Sequence, residues 1–202
     1  MIRRYKENEI DILADILKND GVISVPTDTV YGICAKINSK KAHDKLIKIK
    51  ERPESKSFPV MCADEQQIKS IAFVNERAEK IIKAFMPGPI TIILNKKDQL
   101  PEYVTNGKNT IAVRMAISKV LEKLIRKTGS PLFMTSANKS GKPECTNLDD
   151  IENACPLLDG MLEGNVVLRE ASTIVDCSSE KIKILRKGPI SNEQIMRVMD
   201  IK

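Results

Sequence analysis

The chain has 202 residues, of which 42% are hydrophobic and 30% charged, a composition typical of a globular protein and not of a disordered one. It has no Trp and only 3% aromatic residues, which disfavours a nucleic-acid site built by stacking several bases on rings. The net charge is +6, with eight Lys or Arg against three acids in residues 36–56. This basic stretch is consistent with a surface for phosphates or with a solvated helix face.

In chain order, the hydrophobic pattern predicts one α/β domain over residues 1–202, with a mixed sheet and flanking helices. Helices are predicted over residues 7–19, 39–50, 75–85 and 118–127, and two more begin at Asp64 and Ser191. Strands are predicted over residues 22–25, 58–63, 90–94, 110–116, 131–135, 173–177 and 182–186. The last two strands are expected to form an antiparallel hairpin.

No apolar run approaches the roughly 20 residues that span a bilayer, and no apolar segment follows Arg3 and Arg4. We therefore expect no membrane anchor, no secretory signal and a cytoplasmic location. The five cysteines are scattered, without a C-x-x-C pair, which indicates free thiols rather than disulfides or a zinc site. The single histidine, His43, is predicted to be a solvated helix residue, which disfavours mechanisms that need histidine.

Familiar phosphate-binding motifs are absent, since the chain has neither G-x-x-x-x-G-K-[ST] nor G-x-G-x-x-G. Polar residues instead recur at the ends of apolar strands, where ligands of open α/β sheets bind. These residues are Thr29, Tyr31, Ser136, Asn138, Ser172 and Arg186. Arg114 lies inside an apolar strand, where its charge requires an anion, either an internal acid or a ligand carboxylate. The segment 87–89, Pro-Gly-Pro, is interpreted as a helix stop without a chemical role.

The segment "KIKERPESK" is the most specific basic feature. It places Lys50, Arg52 and Lys56 at a helix end and the turn around Pro53. An arginine offers a planar fork for phosphate oxygens and a lysine a mobile point charge. In a chain without a P-loop, this cluster is a candidate site for a triphosphate.

Six motifs in order carry a resemblance to a known family: "VPTDTVYGICAK", "KERPESKSFPVM", "MPGPITIIL", "TIAVRMA", "MTSANKSGKP" and "STIVDC…ILRKG". From about residue 10 to 190, the chain resembles the YrdC-like family of threonylcarbamoyl-AMP synthases. The resemblance implies a twisted, mixed and largely antiparallel open sheet beside a positively charged concave cavity. It also implies a nucleotidyltransferase that makes threonylcarbamoyl-AMP and pyrophosphate from L-threonine, bicarbonate and ATP. Mg²⁺ is expected with the ATP, and a tRNA-modifying transferase complex is expected to use the product.

The resemblance also implies roles for individual residues. The threonine side is expected to include Thr29, Tyr31, Met61, Arg114 and Ser172, with Arg114 on the carboxylate. The ATP side is expected to include Lys50, Arg52, Lys56, Thr110, Ser136, Asn138 and Arg186, with Lys50 and Arg52 in the catalytic role at the phosphates. No protein ligand to a metal is assigned.

Two departures from the family accompany the resemblance. Met61 stands where some relatives have a histidine, and a thioether donates no hydrogen bond. Longer relatives have a second C-terminal domain, whereas this sequence ends at Lys202.

The main alternative function is a non-catalytic module that binds tRNA or double-stranded RNA, with affinity that falls steeply as salt rises. A carbamoyl transferase of hydrogenase maturation is a third hypothesis, disfavoured because those enzymes are much longer.

Overall fold

The fold is that of a computed structural model, which describes residues 1–51, 56–168 and 170–200. Within them, eleven strands form one sheet. The strands are β1 (Arg4–Tyr5), β2 (Ile23–Pro26), β3 (Tyr31–Lys36), β4 (Val60–Met61), β5 (Ala72–Phe73), β6 (Ile90–Lys96), β7 (Thr110–Arg114), β8 (Leu132–Ser136), β9 (Gly160–Leu162), β10 (Thr173–Asp176) and β11 (Lys183–Arg186).

The strand order is β1-β9-β2-β3-β8-β4-β7-β6-β10-β11, with β5 paired to β6. Pairings β1·β9, β2·β9, β4·β7 and β6·β10 are parallel, and the other six are antiparallel. The mixed, largely antiparallel sheet expected from the sequence is therefore confirmed. The predicted hairpin of β10 and β11 is also antiparallel, with Val175 opposite Ile184.

The helices are α1 (Ile10–Lys18), α2 (Lys40–Lys50), α3 (Glu65–Ile71), α4 (Glu76–Phe85), α5 (Glu102–Thr105), α6 (Lys119–Thr128), α7 (Leu148–Ala154) and α8 (Asn192–Asp200). A 3-10 turn over Glu7–Glu9 precedes α1, so the first predicted helix begins with tighter winding. Ser39, Asp64 and Asn75 accept a backbone N–H at the starts of α2, α3 and α4, which satisfies donors that a helix leaves unpaired.

The core lies on both faces of the sheet, because neighbouring strand residues point to opposite sides. On β7, Ile111 and Val113 belong to the larger apolar cluster. The side chains of Ala112 and Arg114 line a cavity on the opposite face. On that face, α1 and α6 pack with residues of β2, β3 and β8. The cavity lies on the part of this face that is formed by β4, β7, β6 and β10.

One buried residue corrects a prediction. His43 is 3% exposed and packs against the rings of Phe58, Tyr103 and Phe133, so it is not the solvated helix residue expected. The position was misjudged because α2 is rich in lysine, and its charged residues hide the apolar stripe formed with Ala42 and Leu46. Among the described residues, no helix has the length and apolar character needed to cross a membrane.

Candidate substrate-binding cavity

A cavity of about 310 Å³ opens on the exposed part of the sheet. Two arginines and one glutamate provide its charged groups, and hydroxyl and apolar side chains make up most of the remaining wall. It is lined by Thr27, Thr29, Val30, Gly32, Pro59, Val60, Met61, Thr91, Ile93, Ala112, Arg114, Met134, Thr135, Ser136, Glu144, Ala171, Ser172, Ile174 and Arg186. The volume is that of a site for a small molecule or for part of a larger one.

The turn between β2 and β3 explains why two threonines flank an aspartate. Thr27 Oγ1 donates to the carbonyl of Val30 (2.7 Å) and accepts the backbone N–H groups of Thr29 and Val30, which closes the turn. Since that hydroxyl proton is used, the 3.1 Å contact between Thr27 and Thr29 has Thr29 Oγ1 as its donor. Thr29 Oγ1 is left as an acceptor on the cavity wall.

Gly32, also on the cavity wall, leaves space for the side chain of Met134. A Cβ at this position would lie 2.3 Å from Met134 Sδ, well inside contact distance. The glycine therefore allows the Met134 side chain to form part of the cavity floor next to β3.

Arg114 is buried, with 7% of the residue exposed, and its guanidinium donates three hydrogen bonds. Nη1 donates to Thr29 Oγ1 (2.8 Å), Nη2 to Asp28 Oδ1 (2.5 Å) and Nε to the carbonyl of Gly88 (3.0 Å). Burial lowers the Arg114 pKa from its ordinary value, and the Asp28 carboxylate opposes that shift. Among the described residues, three of the five guanidinium N–H bonds thus have an acceptor, so two remain to bind a ligand.

Gly88 corrects the interpretation of Pro87-Gly88-Pro89 as a helix stop alone. Its carbonyl accepts from Arg114, and its N–H donates to the carbonyl of Met115 at 2.8 Å. The segment thereby joins the end of α4 to the end of β7 and fixes the plane of the guanidinium. The sequence pattern gave no sign of this contact, because it is made by backbone atoms 26 positions away in the chain.

Arg186 provides the second cationic group. Nε donates to the carbonyl of Ser172 (2.9 Å) and Nη2 to Ser172 Oγ (3.1 Å). Ser172 Oγ also lies 2.8 Å from Thr91 Oγ1, so three elements meet at this wall. Burial lowers the Arg186 pKa, and Glu144 acts in the opposite direction.

The loop after β8 is shaped by a buried lysine. Lys50, 2% exposed, donates from Nζ to the carbonyl of Ser136 (2.7 Å), to Asn138 Oδ1 (2.7 Å) and to the carbonyl of Asn138. Ser136 Oγ donates to the same Asn138 Oδ1 at 2.6 Å. Lys50 was expected at the ATP phosphates. In this structure its ammonium lies behind the loop, and the geometry supports a positioning role.

The structure brings six of the predicted residues together on the cavity wall: Thr29, Met61, Arg114, Ser136, Ser172 and Arg186. Others lie elsewhere. The Tyr31 hydroxyl donates to the carbonyl of Gly164, and its ring lines a smaller adjoining cavity of about 140 Å³. Thr110 shares the cavity face of β7 but lies beyond the lining, Asn138 is buried behind Ser136, and Lys56 is exposed. Arg52 lies outside the described residues.

Five polar or charged residues of the site were not among the predicted site residues: Thr27, Asp28, Thr91, Thr135 and Glu144. Asp28 and Thr27 lie within the motif that was singled out, so their spacing was a signal that was not used. Thr91 and Glu144 gave no such signal, because only the tertiary fold brings them to the cavity.

No group of three or more His, Cys, Asp or Glu side chains arranged to hold a metal occurs in residues 1–51, 56–168 and 170–200. Glu144 is the carboxylate among the cavity-lining residues. Its oxygens and the neighbouring hydroxyls are the hard donors that Mg²⁺ accepts, and Mg²⁺ bound to phosphates keeps several waters. The residues present are therefore compatible with a metal that arrives with its nucleotide.

Fold and cavity together define an α/β protein whose open mixed sheet borders a polar cavity that contains two arginines. A family model described as "Telomere recombination", for Sua5, YciO and YrdC, matches residues 15–188. The chain belongs to this Sua5/YciO/YrdC family.

Individual relatives agree. A Methanocaldococcus jannaschii protein is 33% identical over 98% of this chain and 97% of its own length. A Bacillus subtilis protein named threonylcarbamoyl-AMP synthase is 35% identical over 92% of this chain. The structure of Pyrococcus abyssi Sua5 complexed with L-threonine aligns at a TM-score of 0.92, with 29% identity over 99% of this chain. This chain spans 55% of the B. subtilis protein and 61% of the P. abyssi chain.

Proposed function

We propose that this protein is a threonylcarbamoyl-AMP synthase, which forms threonylcarbamoyl-AMP and pyrophosphate from L-threonine, bicarbonate and ATP. The observation that carries the proposal is the Arg114 site: a buried guanidinium with two N–H bonds left, beside Thr29 and in the same cavity as Ser172. A relative with this fold has been solved with L-threonine, and another bears the name of the synthase.

On the threonine side, the two remaining N–H bonds of Arg114 would take the amino acid's carboxylate. Thr29 Oγ1 accepts from Arg114 and donates to Thr27, so it has one lone pair left, and it would accept from the substrate's hydroxyl or amine. Met61, 3% exposed, lines the same cavity and offers an apolar contact. Together these groups match the carboxylate, the hydroxyl and the methyl group of threonine.

On the ATP side, Arg186 and Ser136 would face the phosphates. The Ser136 hydroxyl donates to Asn138 Oδ1, so it must rotate to donate to a phosphate oxygen. Asn138 Oδ1 keeps its bond from Lys50 Nζ when that happens, which lowers the cost of the rotation. Lys50 therefore supports Ser136 from behind. Contacts of Arg52, Lys56 and Thr110 with the nucleotide stay predictions from the resemblance.

The chemistry needs little acid–base work from side chains. The unprotonated threonine amine would react with bicarbonate to give a carbamate and water, or with CO₂ to give a carbamate and a proton that passes to solvent. A carbamate oxygen would then attack the α-phosphate of ATP and displace pyrophosphate. Positioning of the two reactants and neutralisation of charge would supply most of the acceleration. Mg²⁺ would arrive with ATP, with Glu144 as the nearby carboxylate. The product would be used by a tRNA-modifying transferase.

An omission assay tests the proposal. Pyrophosphate release from MgATP is measured with all three substrates and with threonine or bicarbonate left out. We expect release only in the complete mixture. Release that is independent of threonine would contradict the proposal. A folded protein that gives no release but binds tRNA, with strong dependence on salt, would favour the RNA-binding alternative.

A further inference from the structure

The two arginines of the cavity differ in how their charge is compensated. Arg114 forms a contact ion pair with Asp28, and both side chains are almost wholly buried, at 8% and 5% exposure. Arg186 donates to the neutral carbonyl and hydroxyl of Ser172, and among the described residues no carboxylate lies within ion-pair distance of it; Glu144, on the same cavity wall, acts on it only from farther away. The charge of Arg114 is therefore compensated by a carboxylate in direct contact, whereas the charge of Arg186 has no carboxylate in contact with it among the described residues.

This difference matters because both guanidinium groups belong to one cavity, where they are close enough for Arg186 to lower the pKa of Arg114. A polyphosphate gains most from uncompensated positive charge. An α-amino acid carries its own cation and has no net charge, so it needs a planar fork more than net charge. The neutralised pair suits the amino acid, and Arg186 suits the phosphates.

We propose that Asp28 is a specificity-determining residue, which keeps polyphosphates off Arg114 and so reserves that arginine for the carboxylate of a zwitterionic amino acid. The inference rests on the proposed function and deepens it, because it states how two anionic groups find different arginines in one cavity. Asp28 acts through Arg114 and need not touch the substrate.

The surroundings of Asp28 support a role for its charge. Its backbone carbonyl accepts the N–H of Leu168 (2.9 Å), which fixes the residue in place. Its Oδ2 is buried and has no hydrogen-bond partner among the described residues. A half-satisfied buried carboxylate is costly to keep, and the attraction to Arg114 is the compensating interaction seen in the structure.

The test compares Asp28→Asn with the wild type. The amide has the same shape and can still accept from Nη2, but it lacks the charge. Inorganic pyrophosphate is the probe, and its binding and that of L-threonine are measured by titration calorimetry. Glu122→Gln is the control, because it removes one acid from a surface pair with Arg126 and so changes the net charge equally.

In the wild type, we expect saturating pyrophosphate to leave the threonine Kd unchanged. In Asp28→Asn, pyrophosphate should bind at least about tenfold more tightly and compete with threonine, since a neighbouring charge is strongly felt at low dielectric. The control should behave as the wild type. Competition in the wild type, or an unchanged pyrophosphate Kd in Asp28→Asn, would overturn the inference.

The two proposals fail in different ways. Threonine that binds the wild type, together with an unchanged pyrophosphate Kd in Asp28→Asn, would overturn the inference alone. A wild type that binds no threonine would overturn the proposed function and the inference with it. Competition between pyrophosphate and threonine in the wild type would overturn the inference even if Asp28→Asn does not fold, because that result needs no substitution.

Discussion

Thr29 shows at the level of one side chain how the cavity is prepared. Its Oγ1 accepts from Arg114 and donates to Thr27, so a single hydroxyl both orients the arginine and faces the cavity. The geometry of this residue depends on the turn that Thr27 closes. A change of the Thr29 side chain should therefore affect the threonine site without disturbing the fold elsewhere.

Thr29→Val should raise the threonine KM by about tenfold or more, because a hydrogen bond to a charged group is lost. The ATP KM should change little. Thr29→Ser is the matched control, since it keeps the hydroxyl and should stay near the wild type. Steady-state kinetics with each substrate varied in turn measures the effect. A valine variant with an unchanged threonine KM would contradict the role given to Thr29.

The burial of His43 predicts how the unfolding free energy depends on pH. Burial lowers its pKa, Asp44 opposes the shift and Lys40 adds to it, so the imidazole is neutral in the fold. The unfolded chain binds the proton more readily, and stability should fall as pH drops below the unfolded pKa of about 6.5. His43→Leu should reduce the loss of unfolding free energy between pH 7 and pH 5 by roughly 1 kcal/mol.

Urea unfolding of both proteins at the two pH values measures this difference. Neither ring nitrogen of His43 has hydrogen-bonding geometry to a partner among the described residues, and Nδ1 lies 3.5 Å from Asp44 Oδ1. A wild type and a variant that lose the same stability on acidification would show that other groups dominate.

At the scale of elements, the C-terminal end of α2 controls the loop that follows β8. Lys50 is the last residue of α2, and its ammonium bonds to three oxygens of residues 136–138. The backbone N–H of Ser140 also donates to the carbonyl of Lys50 at 2.9 Å. Helix and loop are thereby fixed to each other across 86 to 90 positions of the chain.

Lys50→Met should lower the unfolding free energy by about 3 kcal/mol, because it leaves buried oxygens without a donor. It should also raise the ATP KM, since Ser136 is no longer supported. Lys48→Met on the exposed face of α2 is the control and should be close to neutral. Thermal unfolding and ATP kinetics together provide the measurement. Normal stability with lost turnover would instead favour direct contact of Lys50 with the phosphates.

Much of this arrangement was predictable from local pattern, and some was not. Apolar runs and caps such as Asp64 predicted most helices and long strands, because these signals act over a few residues. Strands β1, β5 and β9 were missed, since two or three residues carry no periodicity. The six-residue strand β3 was missed as well, because its first residues were interpreted as the polar end of β2. The burial of Lys50 was also missed, because its partners lie 86 and 88 positions away and no local pattern reveals them.

At the scale of the whole molecule, the sheet combines a covered and an open region on one face. Helices α1 and α6 pack with residues of β2, β3 and β8, and the cavity occupies the neighbouring strands. Residues within or next to seven strands, together with Thr27 and Thr29 at the end of β2, thus meet in one site although they are spread from Thr27 to Arg186. This spread explains why the predicted residues recur at strand ends along the sequence.

The central claim is that threonine, the bicarbonate carbon and AMP are joined in this cavity. The most direct measurement is mass spectrometry of the product formed from ¹³C-bicarbonate, L-threonine and MgATP by the wild type and by Arg114→Lys, which loses the planar fork. We expect one product that contains AMP, threonine and the ¹³C label, and far less of it from the variant. ATP cleavage without a labelled threonine adduct would contradict the account.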